Sequence, residues 1–295
     1  MTMLVAVSSR ERGDGPLPLA AMLARSAGVG LHVVTVVPMT WSPGPARVDG
    51  EYQEYLRGVA HGVLEWARAR VPSDVEAMYE TVHARSTGAG IIDAASRSGA
   101  SLVVLGSAEE GTLGRVALGS VNDRVLHTCP LPTAVSPAEF ACAAGARVQR
   151  VTVAYSGTHG SDHLVREAAT TADRLGAALR LVSFAVRPHT AYTAGVGFHS
   201  EDAVVDAWAH DIRVHARAAL SSVRDAGHVE DEGKVLIGRG TTWRQALDDI
   251  AWGDGEVLIV GSSSSGSLAR VFLGSRATKI VRLAPVPVVV LPRHR

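Results

Sequence analysis

The chain has 295 residues, long for one domain and comfortable for two. Lys plus Arg and Asp plus Glu balance at 29 each, so no global field selects nucleic acid or an anionic membrane as partner. Two cysteines, Cys129 and Cys142, are too few for a disulfide framework and sit in no metal-spaced cluster, which fits a reducing cytoplasm.

No apolar run reaches the roughly 18 residues of a membrane span, and Met1–Arg12 reads as a short strand followed by polar residues, not as a signal peptide. In chain order, Met3–Val7 is a strand, Leu17–Ala27 a helix and Leu31–Val37 a strand. Pro38–Gly50 reads as an irregular loop. Glu51–Arg70 is a long helix with Tyr55, Val59, Val63 and Ala67 on one stripe. Val75–Val82 (strand), Gly90–Ser98 (helix), Leu102–Leu105 (strand), Ser120–His127 (helix) and Thr133–Ser136 (strand) complete a first half. Ala138–Arg147 reads as a linker.

The order then repeats. Arg150–Tyr155, Leu179–Val186, Lys234–Ile237, Val257–Val260 and Val286–Leu291 read as strands, with helices at Asp162–Leu175, Asp202–Ala226, Trp243–Ala251 and Ser275–Leu283 and a loop at Pro188–Ser200. Continuous Val/Ile/Leu runs imply strands buried on both faces, hence a mostly parallel sheet. Strand–helix alternation implies α/β architecture with two doubly wound domains, over residues 1–137 and 148–295.

One motif occurs twice at a constant spacing. Gly106-Ser107 with Gly111-Thr-Leu-Gly-Arg-Val-Ala-Leu-Gly-Ser120 returns 155 residues later as Gly261-Ser262 with Gly266-Ser-Leu-Ala-Arg-Val-Phe-Leu-Gly-Ser275. Each copy follows an apolar strand and precedes a helix. A strand, a Gly/Ser loop and a helix start form an anion-binding arrangement, because glycine admits close backbone approach and the first helical amides lack partners. Ser120-Val-Asn-Asp123 also reads as a capping box, so Ser120 has either a capping or a phosphate role, while Ser275 has Thr278 in place of the acid.

The motifs resemble those of universal stress proteins in a tandem form, along essentially the whole chain. The resemblance implies five parallel strands per domain and an intramolecular pseudo-dimer paired through the last strands. It also implies an adenine nucleotide ligand, ATP in some members, with Mg only as its companion, and a regulatory rather than enzymatic role. Matching the nucleotide motif are Gly106, Gly119 and Ser120 in the first half and Gly261, Gly274 and Ser275 in the second, where Ser262, Ser264 and Gly266 of the same loop are further candidate binding residues. Glu109 and Ser264 stand where the middle glycine belongs, and Ser8 and Ser156 stand where nucleotide-binding members carry an acid.

Charge separates the two loops. From Gly106 to His127 two arginines face three acids, a net of −1; from Gly261 to Arg282, Arg270, Arg276, Lys279 and Arg282 face none, +4. A carboxylate about 4 Å from a phosphate charge costs about 1–4 kcal/mol at effective dielectrics of 80 to 20. The second half is therefore the expected nucleotide site, with Arg270 and Arg276 as its cations and Ser156 near the nucleoside.

Other residues prompt no chemistry. His210 and His215 are five apart, on different faces of one helix, and Trp208, Trp243 and Trp252 read as core or lid residues. Gly238-Arg-Gly240 reads as a strand-to-helix turn before Thr242. With no identifiable catalytic base, hydrolysis ranks behind two other readings: a nucleotide-binding signalling module acting on a protein partner, and a nucleotide-free interaction scaffold of the same fold. Pro130, Pro132, Pro285 and Pro287 suit strands at the edge of each half, so Thr133–Ser136 is expected to pair with Val286–Leu291. Any assembly of whole chains is expected to be a symmetric homodimer.

Overall fold

The computed structural model describes residues 1–8, 15–39, 46–108, 114–187, 198–225, 234–262 and 273–292. The first half runs β1 (Thr2–Ala6), α1 (Pro16–Ala27), β2 (Gly30–Pro38), α2 (Ala46–Arg68), β3 (Ala77–Ala84), α3 (Thr87–Arg97), β4 (Ala100–Leu105), α4 (Ser120–Thr128) and β5 (Thr133–Val135). The second runs β6 (Arg150–Ala154), α5 (His159–Leu175), β7 (Ala178–Val186), α6 (Phe198–Asp225), β8 (Lys234–Gly240), α7 (Trp243–Asp248), β9 (Glu256–Gly261), α8 (Ser275–Leu283) and β10 (Val288–Leu291). All described strands join one ten-stranded sheet in the order β3-β2-β1-β4-β5-β10-β9-β6-β7-β8. The order is a palindrome, each half repeating the other outward from the centre.

Within each half the strands are parallel, as the apolar runs require. The halves meet antiparallel at β5 and β10, with Val288 opposite Val135, Val289 opposite Ala134 and Val290 opposite Thr133. That is the expected pseudo-dimer. The prolines before these strands cannot donate, but their carbonyls accept: Pro132 O takes the Val103 amide and Pro287 O the Leu258 amide. Because the seam is antiparallel, the carboxyl ends of the two halves' strands lie at opposite ends of the sheet.

Alternation sorts the side chains onto two faces. Val5, Val33, Val151, Leu181 and Ile259 bury against α1, α2, α5 and α6. Leu4, Val34 and Val103 bury against α3 and α4, and Val182, Leu258 and Val288 against α7 and α8. Local signals set the helix ends. Pro16 opens α1, and Gly28 closes it in the left-handed region at φ 64°. Thr242 and Gln245 form a reciprocal capping box on α7.

Several boundaries differ from expectation. Ala46–Gly50 and Phe198–Ser200 are helical, so α2 and α6 take in parts of the two expected loops, and the rest of those loops lies outside the described residues apart from Pro38–Met39. Pro38 ends β2, which propensity alone disfavours. The expected linker packs onto the first half: Arg25 Nη1 donates to Ala146 O at 2.7 Å, Arg147 Nη1 to Arg25 O at 2.7 Å, and the Val148 amide to Ser26 Oγ at 2.8 Å.

Gly238 and Gly240 belong to β8, and the turn is Thr241–Thr242. Their function is close packing: a Cβ on Gly238 would lie 2.1 Å from Ala246 O, and one on Gly240 2.6 Å from Ala246 N. Gly238→Ala is expected to destabilise the chain by about 1–3 kcal/mol or more in urea unfolding, because backbone must move. Gly58→Ala, in open space on exposed α2, is expected to stabilise it by about 0.5–1 kcal/mol.

Candidate ligand-binding site

In the first half the strand–loop–helix segment is tied to itself. Gly106 follows β4, and Gly119 caps α4 in extended conformation without a side-chain hydrogen bond. Asn122 Nδ2 donates to Gly106 O at 2.8 Å, and the Ala108 amide donates to Ala117 O at 2.9 Å, so Gly106 and Gly119 are drawn together. Ser107 Oγ donates to Ser136 O at 2.7 Å and accepts from the Ala117 amide at 3.0 Å. Ser120 is the first residue of α4, not its cap, which corrects the capping-box reading; Asp123 supplies an acid in the first turn. Glu109 and Glu110 lie outside the described residues. A Cβ at Gly119 would come within 3.0 Å of Ala108 Cβ, so this glycine also serves packing.

In the second half Gly261 ends β9, where a Cβ would meet Leu164 of α5 at 3.2 Å. Ser262 is buried, and its amide donates to Leu291 O at 3.1 Å. Gly274 caps α8 in extended conformation, again with no side-chain hydrogen bond. Ser275 and Arg276 are exposed in a first turn that holds no acid. Thr278 Oγ1 donates back to Gly274 O at 3.1 Å. Ser264, Gly266 and Arg270 lie outside the described residues.

Parallel pairing of β6 with β9 brings Ser156 and Gly261 to the same edge, remote from Gly106, Gly119 and Ser120. Ser156 Oγ lies 2.6 Å from Ser161 Oγ and 3.2 Å from Thr158 Oγ1, and its amide donates to Ser161 Oγ at 3.1 Å. Hydroxyls thus close the turn where an acid would project.

Beside them Tyr155 is buried and donates to Asp162 Oδ1 at 3.0 Å. Burial, aided by that carboxylate, pushes the phenol up to about 12. A folded value above the unfolded one of about 10 means that stability should be level below pH 10 and fall as pH rises toward 12. Alkaline unfolding curves of wild type and Tyr155→Phe test this; the variant should lose that part of the slope.

Three arrangements escaped the sequence reading. Arg115, counted there as a loop charge, crosses the seam to Leu283 O at 2.5 Å and to Asp248. Glu256, fully buried, pairs with buried Arg180 and accepts from Thr152 Oγ1. In the first half, buried His32 of β2, at the position matching Arg180, meets Glu80 of the neighbouring strand β3 from Nε2 at 2.9 Å, and Arg97 meets Glu80 at 2.9 Å. The available signal was a charge inside an apolar strand run: Leu179-Arg-Leu and Glu256-Val-Leu.

Trp243 packs 6.2 Å from Phe184 between ring centroids, and Trp252 Nε1 donates to Leu247 O at 2.8 Å, so both are core residues. Trp208 is 37% exposed on α6, where His210 and His215 are also exposed, and no group of three or more His, Cys, Asp or Glu that could hold a metal ion exists among the described residues. No described helix is long and apolar enough to cross a membrane.

The architecture is thus that of a tandem α/β protein with a repeated glycine-serine motif between strand and helix in each half. The universal stress protein family model matches residues 1–137 and 147–292, and the chain belongs to that family. It is 38% identical to universal stress protein Rv2319c of Mycobacterium tuberculosis, over 99% of this chain and all of that protein. It is 25% identical to universal stress protein Rv2005c of the same organism, over 88% and 85% of the two chains. A universal stress protein of Archaeoglobus fulgidus shares the fold at TM-score 0.63 and 20% identity, covering 99% of this chain and 98% of that one.

Proposed function

We propose that the chain is a nucleotide-responsive regulatory module whose second half takes the phosphates of an adenine nucleotide such as ATP. The observation carrying this is the start of α8. Its N-terminus has no side-chain cap and no acid in its first turn, and it places Arg276 there. A cation at the positive end of a helix dipole is locally unfavourable. A bound anion would reverse that cost, accepting hydrogen bonds from the free amides and a charge-assisted contact from Arg276. The first half lacks this arrangement: Asp123 occupies the first turn of α4, and Arg115 is engaged across the seam.

Gly261 and Ser262 would flank the phosphates, with Ser156 nearest the nucleoside. Mg would enter only with the nucleotide, and a protein partner would read the occupied state. With Ser156 in place of an acid, affinity should be micromolar or weaker, about −8 kcal/mol or less, with poor discrimination among nucleotides. A nucleotide-free scaffold is the second reading. It is favoured by the closed hydroxyl cluster of Ser156, Thr158 and Ser161. Mass spectrometry of ligand released from freshly purified protein, with calorimetry against ATP, ADP and AMP, separates the two. Neither co-purified nucleotide nor heat would leave the scaffold.

A further inference from the structure

We propose that Arg115 is a positioning residue through which the first half holds α8 of the second half in place. Its bearing on ligand affinity rests on the reading above, whereas the latch itself does not. Helix α8 has nine residues and buries only Ile280 and Val281 fully. A helix this short is not stable alone and depends on packing and its ends. Its C-cap, Ala284, has φ −62° and ψ 132°, so no left-handed turn closes it. Arg115 Nη1 instead donates to Leu283 O at 2.5 Å, placing a cation at the negative end of the helix. The other arm of the guanidinium reaches Asp248, the last residue of α7. One planar fork from the first half therefore fastens the ends of two helices of the second.

The anchor behind that fork is rigid. The Gly114 amide donates to Ala138 O at 3.2 Å, and Arg115 O accepts the Ala138 amide at 2.9 Å. Val116, next in the chain, is 2% exposed and buries in the cluster holding Leu273, Ile280 and Val281. The Arg115 side chain is only 15% exposed, so solvent screens its contact with Leu283 O less than that with Asp248, which is 45% exposed. The loop that carries the first anion motif thus sets the position of the helix that opens at the second.

Hydrogen exchange read by mass spectrometry on the full chain tests this, with Arg115→Ala, Arg115→Lys and Asp248→Asn. In Arg115→Ala, peptides from α8 should exchange about fivefold faster or more, while those from β1, β4 and α1 keep wild-type rates. Arg115→Lys, which keeps charge but not the fork, should fall between. Unchanged exchange in α8, or equal acceleration everywhere, overturns the latch. Calorimetry with ATP on the same proteins reads the coupling, with about threefold to tenfold weaker binding expected in Arg115→Ala. Faster α8 exchange with unchanged ATP affinity overturns the coupling and keeps the latch. No ATP heat from wild type overturns the nucleotide reading, and exchange still decides the latch.

Discussion

Glu256→Ala is expected to cost the fold about 3–5 kcal/mol, the loss typical of leaving one buried charge without its partner. Glu256 is fully buried at the start of β9, and its two oxygens are shared among several donors. One accepts from Arg180 Nη2 and Thr152 Oγ1; the other accepts the Gly253 amide at 2.8 Å and lies 3.5 Å from Arg150 Nη1. Arg180 in turn donates from Nε to Thr152 Oγ1 at 3.1 Å and from Nη1 to Ala251 O at 3.2 Å, with its guanidinium 5.5 Å over the Trp252 ring. Burial pulls the Arg180 pKa down and the Glu256 charge opposes that pull. Truncating Glu256 strands the arginine; replacing Arg180, Thr152 and Glu256 together by Met, Val and Leu should recover most of the loss. Urea unfolding measures both variants. A single-variant loss under about 1 kcal/mol, or a triple variant worse than the single, would show that the cluster holds no such charge balance. Glu80→Ala in the first half should cost less, because Glu80 is 32% exposed and water can solvate the groups left behind.

Those clusters show where sequence reading stops. The strands, their parallel pairing and the seam were readable because each depends on local pattern: apolar runs, prolines before β5 and β10, and a motif repeated at fixed spacing. The faces of the strands were less so. Arg180 and Glu256 are 76 residues apart, and only the register of β7, β6 and β9 makes them neighbours. Arg115, counted in the sequence only as one charge of its loop, was out of reach for a related reason: the antiparallel seam puts Leu283 and Asp248 beside it. The Ser120 capping box failed by one residue: Gly119 takes the cap, so the hydroxyl sits inside the first turn. At the second motif, Gly274 and Ser275 stand where spacing put them, while the roles given to Ser264, Gly266 and Arg270 remain proposals.

Ser275→Asp should raise helix stability and weaken nucleotide binding together, a pair of effects that no purely structural role produces. The residue is exposed in the first turn of α8, where no acid now stands. A carboxylate there meets the free amides and the positive end of the dipole, worth about 0.3–1 kcal/mol to the fold. The same carboxylate repels an arriving phosphate by about 1–4 kcal/mol, up to roughly a thousandfold in affinity. Micromolar starting affinity therefore weakens by about fivefold at the least and falls to about millimolar at the most. Ser120→Asp is the matched control, since α4 already carries Asp123 in its first turn and its loop offers no free arginine at Arg115. It should leave nucleotide affinity within about twofold of wild type. Equal losses from the two substitutions would mean two equivalent sites per chain and would overturn the asymmetry between the halves. A stabilised Ser275→Asp chain that binds ATP as wild type does would move the phosphate away from α8 altogether.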